Sequence, residues 1–141
     1  MTFEPVLMVW DYYDGPRTGL AHLNGKPHYF KCLWSELDDN YSDKFELSPI
    51  DNSFLAIATS NWKHFRKWEV KFHSGLVTVE THPGNRGLNL DYDKRKSELE
   101  EKIKTLTKIP DSYIPNFRPL PRKEKLPVGV MRDLEATWTK S

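Results

Sequence analysis

The sequence predicts an α+β fold, and three observations lead to that prediction. Strand-like runs dominate residues 1–50, the longest segment with helical periodicity follows at 51–75, and strand character returns at 128–139. Because strands and helices are segregated along the chain, the sheet should be mainly antiparallel. We expect it to be curved, as an incomplete barrel, and to pack on one long amphipathic helix, with the last strand beside an N-terminal one.

The composition indicates a single domain over residues 1–141. The chain is 38% hydrophobic and 13% aromatic, which is enough for a sizeable core. No apolar run is long enough to cross a bilayer, and no basic segment precedes the first apolar residues. We therefore expect a cytoplasmic protein with no membrane contact. The single cysteine, Cys32, excludes an internal disulfide and a zinc site built from cysteine pairs.

Residues 5–13 have the β-branched and aromatic character of a strand, and Asp14-Gly15-Pro16 has the character of a turn. Acidic and aromatic side chains are interleaved here beside an arginine, which is typical of the rim of a binding pocket. The predicted ligand contacts in this stretch are Trp10, Asp11, Tyr13 and Arg17. Turn chemistry alone also explains the stretch, with Asp14 at the bend.

Asn24-Gly25 lies between two strand-like runs and predicts a β-hairpin with a two-residue turn, because a type I′ turn needs positive φ at both positions. In that register Ala21 faces His28. One face of the hairpin then carries the more apolar set, which consists of Ala21, Leu23, His28, Phe30, Cys32 and Trp34. His28 is a candidate catalytic residue, although a buried histidine is more often a hydrogen-bonded core residue.

Residues 35–43 form an acidic stretch that we interpret as a loop, followed by a short strand at 44–48. The spacing of its carboxylates does not match a calcium-binding loop, because the central glycine and the final glutamate are missing. No other cluster has the spacing of metal ligands. We therefore predict no metal site and no cofactor.

The segment 51–75 predicts an amphipathic helix, because apolar residues recur at spacings of three and four from Phe54 to Phe72. Asp51 or Ser53 can cap its N-terminus, and Gly75 can end it. The opposite face is basic and carries Lys63, Arg66, Lys67 and Lys71. These residues could bind nucleic acid, but the formal net charge of +1 is unlike that of a typical nucleic-acid-binding protein.

Three polar residues, Asn61, Glu69 and His73, interrupt the aromatic side of this helix. Glu69 lies one turn from Phe65 and Phe72, where a carboxylate must be paired, hydrogen-bonded or protonated. It either meets an arginine or another donor and fixes the packing, or it lines a cavity and contacts a ligand. In the second interpretation Asn61 is a further ligand contact, and Glu69 and His73 are catalytic candidates.

The remaining residues predict four further segments. Residues 76–80 have the character of a brief strand or extended segment, and residues 91–106 that of a peripheral helix. Five prolines between residues 108 and 127 predict an extended crossing rather than regular structure. The alternation of residues 128–139 predicts the strand that closes the sheet.

Three functions are consistent with these features. We expect first a small soluble, non-catalytic protein that recognises a protein partner or small ligand through an aromatic-rich surface or pocket. The alternative is a hydrolase or transferase of a small substrate in a pocket between the sheet and the helix. Glu69 would be its acid or base, with Asp11, His28 or His73 nearby and Arg17 as an anion contact. Nucleic-acid binding by the basic helix face is a weaker alternative.

Overall fold

The computed structural model describes residues 2–122 and 125–141, which fold into two compact units. The barrel unit contains Met1–Ile50, Leu106–Pro121 and Asp133–Ser141, and the helical unit contains Asp51–Thr105 and Arg122–Arg132. Segments of the two units therefore alternate along the chain. A single domain over 1–141, and a sheet packed on the long helix, stay predictions.

Six strands and two α-helices form from these described residues. In chain order they are β1 (Glu4–Tyr12), β2 (Pro16–Leu23), β3 (Lys26–Ser35), β4 (Asn40–Pro49), α1 (Asn52–His73), α2 (Leu90–Lys104), β5 (Tyr113–Pro119) and β6 (Leu134–Lys140). Every strand pairing is antiparallel, which confirms the predicted α+β class with an antiparallel sheet. Neither of these helices combines the length and the apolar character that a bilayer crossing requires.

The sheet closes into a barrel in the order β1-β2-β3-β4-β5-β6, so the predicted open, incomplete barrel is wrong. β6 pairs with β1, as expected, and β5 pairs with β4 only through Tyr113 and Phe45. β5 forms within the segment whose prolines predict an irregular crossing. Pro115 and Pro119 fall in the part of β5 that has no β4 partner, where the absence of an N–H group is tolerated.

The hairpin of β2 and β3 has the predicted turn and the predicted register. Asn24 and Gly25 both adopt positive φ, at 55° and 76°, and Ala21 pairs with His28. The carboxylate of Glu4 accepts hydrogen bonds from the backbone N–H groups of both turn residues, at 3.0 and 2.6 Å. The turn is therefore held by a side chain from β1 in addition to its own backbone preference.

The interior of the barrel is aromatic. The rings of Phe30, Phe45, Phe117 and Trp138 lie with centroids 5.7 to 6.0 Å apart, in tilted and edge-to-face arrangements. Most of the predicted apolar hairpin face is buried, as expected, and its buried members are Ala21, Leu23, His28, Phe30 and Cys32. This cluster uses four of the eighteen aromatic residues of the chain in packing the barrel interior.

The β3–β4 connection differs from the predicted acidic loop over 35–43. β3 continues to Ser35 and β4 already begins at Asn40, so only a short turn separates them. Trp34, predicted on the buried face, is 52% exposed, because the pairing register shifts between Cys32 and Trp34. Such an irregularity changes the direction of the side chains beyond it.

The helical unit begins with the predicted cap. The carboxylate of Asp51 accepts a hydrogen bond from the N–H of Phe54 at 2.8 Å, and Gly75 follows the end of α1 with φ at 76°. Residues 76–80 do not form the predicted strand; a turn of 3-10 helix, Val79–Thr81, lies in the connection between α1 and α2 instead. α2 forms where the sequence predicts the second helix, and its buried residue is Leu99.

The closing strand is shorter than predicted over 128–139. It begins only at Leu134, and the preceding residues 125–132 have no strand structure. That segment belongs to the helical unit, where side chains of α1 bind the backbone of Met131. Residues 123–124 of the predicted proline-rich crossing lie outside the described residues.

Candidate functional site

An open pocket of about 580 Å³ lies at the end of the barrel formed by the β1–β2 and β3–β4 turns. Because β1 to β4 run up and down in sequence, the turns at 13–15 and 36–39 fall on the same edge of the sheet. The pocket is lined by Tyr13, Asp14, Arg17, Asn40, Tyr41, Ser42 and Asp43. Two predicted ligand contacts, Tyr13 and Arg17, are therefore brought together here.

Arg17 lines this pocket and contacts several groups around it. Its Nε donates to the carbonyl oxygen of Tyr13 at 2.8 Å, and its Nη2 donates to the carbonyl oxygen of Asp14 at 3.3 Å. The guanidinium also lies 4.5 Å from the centre of the Tyr41 ring, within cation–π range. Arg17 thus joins the β1–β2 turn to β4, and several of its donors are already used within the protein.

Tyr13, Trp34 and Tyr41, together with Arg17, form what we call the aromatic surface. Tyr41 is its centre, because its ring lies 6.3 Å from that of Tyr13 and 5.2 Å from that of Trp34, measured between centroids. Tyr13 is 69% exposed and Trp34 is 52% exposed. Large rings that are exposed and yet positioned by their neighbours are the typical anchors of binding surfaces.

Cys32 lies beneath the aromatic surface and is 4% exposed. Its Sγ accepts a hydrogen bond from Arg17 Nη1 at 3.4 Å and donates to the carbonyl oxygen of Ser42 at 3.2 Å. Burial raises the pKa of the Cys32 thiol, and the hydrogen bond and charge of Arg17 lower it in part. A buried thiol whose pKa is raised is a poor nucleophile, so Cys32 supports the pocket structurally.

The other predicted site residues of the barrel unit do not line this pocket. Trp10 packs against Tyr29 with centroids 5.9 Å apart, and Asp11 accepts a hydrogen bond from the hydroxyl of Thr18 at 2.7 Å. His28 is buried beside the β2–β3 turn, at the opposite end of the barrel, and its Nδ1 is 2.8 Å from the carbonyl oxygen of Lys26. Asp11 and His28 therefore do not converge.

Glu69 has both carboxylate oxygens engaged within the helical unit. Its Oε1 accepts from Arg66 Nη1 at 2.5 Å, and its Oε2 accepts from the backbone N–H of Met131 at 3.1 Å. Arg66 Nη2 in turn donates to the carbonyl oxygen of Met131 at 2.8 Å. Together Arg66 and Glu69 bind both backbone groups of Met131, and we call this arrangement the Met131 clasp. It matches the packing interpretation of Glu69.

Asn61 and His73 also contact other parts of the helical unit. Asn61 is buried, donates to the carbonyl oxygen of Tyr92 at 3.0 Å and accepts from Arg95 Nε at 2.6 Å, so it connects α1 with α2. His73 lies at the exposed end of α1, close to Gly129. The polar groups of Asn61 are thus used in joining two helices, and this leaves few of them for a ligand.

The basic face of α1 is smaller than predicted. Lys63, Lys67 and Lys71 are exposed, but Arg66 is half-buried and belongs to the Met131 clasp. Its guanidinium also lies 5.7 Å from the centre of the Trp62 ring. Only the three lysines, which are spaced four residues apart, are therefore exposed on this face to bind an acidic partner.

His82 is half-buried and packs against two aromatic rings of α1. Its ring centroid lies 4.4 Å from that of Trp68 and 5.5 Å from that of Phe65, and its Nδ1 accepts from the N–H of Gly84 at 2.8 Å. Burial lowers the pKa of His82, and the charge of Lys96 lowers it further, against a backbone hydrogen bond that raises it. The folded protein therefore favours the neutral ring.

Acidification from pH 7.5 to pH 5 is expected to destabilise the protein through His82. Because its pKa is lowered in the folded state, the unfolded chain takes up the proton first as the pH falls through about 6.5. The contribution of the neutral ring is complete above that pH and is lost below it. Urea unfolding at both pH values should show a smaller loss of stability for His82→Gln than for the wild type. Equal losses would contradict this prediction.

Sequence reasoning misses Trp34 and Tyr41, the central members of the aromatic surface. The hairpin pattern places Trp34 on the buried face, and the acidic stretch over 35–43 includes Tyr41 in a loop. The strand order could have identified them, because consecutive antiparallel strands bring every second turn to the same edge of the sheet. That rule places residues 34–43 beside the Trp10–Arg17 stretch.

The fold and the site together define a closed six-stranded antiparallel barrel with an exposed aromatic surface at one end and a two-helix unit inserted in its sequence. Within residues 2–122 and 125–141, no three His, Cys, Asp or Glu side chains are grouped closely enough to hold a metal ion. Comparison of the chain with protein-family models, curated protein sequences and solved structures finds no match.

Proposed function

We propose that the chain is a non-catalytic binding protein that recognises a protein partner through its aromatic surface. The observation that carries this proposal is the contact between three rings at one end of the barrel, with Tyr13 69% and Trp34 52% exposed. Leu37, which is 95% exposed, lies in the β3–β4 turn on the same edge. Exposed aromatic residues are strongly enriched among those that dominate the energetics of protein interfaces.

The contacts within the aromatic surface also support recognition of a partner. The Arg17 guanidinium lies over the Tyr41 ring, and the Trp34 and Tyr41 rings form a T-shaped pair. Arg17 in turn donates to two backbone carbonyl groups. Side chains that are held in place before binding lose little conformational entropy when a partner arrives. A surface of this kind can therefore give useful affinity from few residues.

The shape of the pocket favours a protein partner over a small ligand. Small-molecule sites usually enclose most of the ligand in a cleft lined by apolar side chains. This pocket is open, and its lining includes Asp14, Asn40 and Asp43. A partner that covers the whole barrel end would exclude water from the rings more completely than a small molecule in the pocket.

The enzyme alternative depends mainly on Glu69, and the contacts of this residue do not favour it. A general acid or base must reach the substrate, but both oxygens of Glu69 are bound within the Met131 clasp. Asp11 and His28 lie apart from each other in the barrel unit, and neither lines the pocket. The binding function is therefore the better supported of the two.

Selection of random peptides on the immobilised wild-type protein tests the proposed function. The selected peptides should bind the double variant Tyr13→Ser/Trp34→Ser at least about 30-fold more weakly, because two exposed anchors are removed. Hydrogen exchange should show protection by the peptides at residues 13–17 and 34–43. Leu76→Ser/Leu90→Ser is the matched control, since both leucines are exposed and lie in the helical unit.

The control variant should bind the selected peptides within about twofold of the wild type. The proposal would be contradicted by selected peptides that bind both double variants equally well, or that protect residues outside the barrel end. A selection that enriches no peptide dependent on Tyr13 and Trp34 would contradict it as well.

A further inference from the structure

The barrel end that carries the aromatic surface is rich in acidic residues, and from this we infer the chemistry of the partner. Residues 11–17 and 34–43, which form this end of the barrel, contain six carboxylates and a single basic residue, Arg17. Resting on the proposed function, we propose that the aromatic surface binds a basic segment of a protein, in which arginine or lysine side chains contact the rings and the surrounding carboxylates.

Two carboxylates at the pocket are free to receive a cation. Asp14 and Asp43 line the pocket, and their side chains form no hydrogen bond or salt bridge with any residue that the structure describes. By contrast, Asp11 accepts from Thr18 and Asp38 accepts from Ser35. The guanidinium of Arg17 does not pair with either free carboxylate, because it contacts two carbonyl oxygens, the Cys32 sulfur and the Tyr41 ring.

The rings make the same site suitable for a cation. Arg17 already lies over Tyr41, so the rings that remain most accessible are those of Tyr13 and Trp34. An arginine or lysine placed on either ring would gain a cation–π interaction and a nearby carboxylate at the same time. Aromatic and acidic residues together are thus selective for a basic side chain, whereas either type alone would be less selective.

The distribution of charge over the chain favours a basic partner at this end. The whole chain carries a formal charge of +1, so the strongly acidic barrel end implies that the remaining residues are net positive. A negative surface attracts a basic segment during approach and repels nucleic acid, whose phosphates would meet the carboxylates. For this reason we assign a protein partner, and not a nucleic acid, to the aromatic surface.

Two synthetic peptides test this inference directly. The first alternates arginine and glycine over eight residues, and the second replaces each arginine with citrulline, which has a similar shape and no charge. The arginine peptide should bind at least about tenfold more tightly, with its amide chemical-shift changes at residues 13–17 and 40–43. Its affinity should fall as salt is raised, because the carboxylates are exposed to solvent.

Matched protein variants separate the charge of the site from charge elsewhere. Asp14→Asn/Asp43→Asn should reduce binding of the arginine peptide about tenfold, and asparagine suits the positive φ of 53° at position 14. The control, Glu100→Gln/Glu101→Gln, removes two exposed charges from α2 and should change the affinity by less than about twofold.

The outcomes distinguish the partner's chemistry from the proposed function itself. Equal binding of the arginine and citrulline peptides, or no effect of Asp14→Asn/Asp43→Asn, would overturn the basic-segment inference. The proposed function would still stand if randomly selected peptides depended on Tyr13 and Trp34. If the selected peptides ignored those two rings, both the proposed function and this inference would be wrong.

Discussion

Replacement of Glu69 by glutamine is expected to lower the free energy of unfolding by about 3 kcal/mol. The carboxylate accepts from Arg66 and from the backbone of Met131, and its side chain is 8% exposed. Glutamine keeps the size of the side chain but removes the charge, so the guanidinium of Arg66 loses its counter-ion in a half-buried position. Removal of one member of a buried pair is costly because the other charge remains desolvated.

The chain contains a matched control for this experiment. Glu101 and Lys104 form a salt bridge with the same spacing of three residues along a helix, but both side chains are at least 70% exposed. Glu101→Gln should therefore cost no more than about 0.5 kcal/mol. Urea unfolding of the two variants measures the difference, and hydrogen exchange at the Met131 amide should become faster only in Glu69→Gln. Similar stabilities for the two variants would contradict a structural role for Glu69.

The result for Glu69 also bears on function. An acid or base in an active site is often held at some cost in stability, so its neutral replacement can leave stability unchanged or raise it. Replacement of a residue that connects two segments should instead lower the stability of the protein. The expected loss would therefore weaken the enzyme alternative further, without any knowledge of a substrate.

The local features of the fold could be predicted from the sequence because they depend on neighbouring residues. Asn24-Gly25 specifies its turn through the positive φ of both residues, and the two-residue loop then determines the register of the whole hairpin. Asp51 caps α1 through a contact three residues away. In each case the interacting groups are close in sequence, so a pattern of residue types is sufficient.

Closure of the barrel could not be predicted in the same way. β5 lies in a segment whose prolines, including Pro115 and Pro119, usually indicate the absence of a strand. The strand forms because it pairs with β6 along its length and needs β4 only at Tyr113. The tertiary structure determines which edge of a strand remains unpaired, and a local sequence pattern cannot predict this.

The candidate site was partly predictable for a related reason. Tyr13 and Arg17 are close in sequence, and their residue types indicate a pocket rim, whereas their contacts with Tyr41 depend on the β3–β4 turn. For Glu69, the sequence indicates that a carboxylate on an aromatic helix face needs a partner. An arginine is one partner that the pattern suggests, but Met131, more than sixty residues away, could not be found from spacing.

Replacement of Gly19 by alanine should destabilise the protein by about 3 kcal/mol or more, which is a large part of the stability of a typical domain. Gly19 is buried in β2, where it pairs with Val9 and Phe30. A Cβ at this position would overlap the carbonyl oxygen of Met8 and would lie 2.8 Å from Cζ of Phe30. The carbonyl belongs to the backbone of a paired strand, so it cannot move without disturbing the sheet.

The ring of Phe30 cannot move aside either, because it is fully buried and packs against Phe45, Phe117 and Trp138.

Gly25→Ala provides the comparison, since position 25 has a positive φ of 76° but a Cβ added there would have no neighbouring atom within 4 Å. Backbone strain alone should cost about 1 kcal/mol there. Denaturant unfolding, with near-ultraviolet circular dichroism of the aromatic cluster, measures both variants. If Gly19→Ala lowered the free energy of unfolding no more than Gly25→Ala does, the proposed reason for glycine at position 19, close packing of β2 against Phe30, would be wrong.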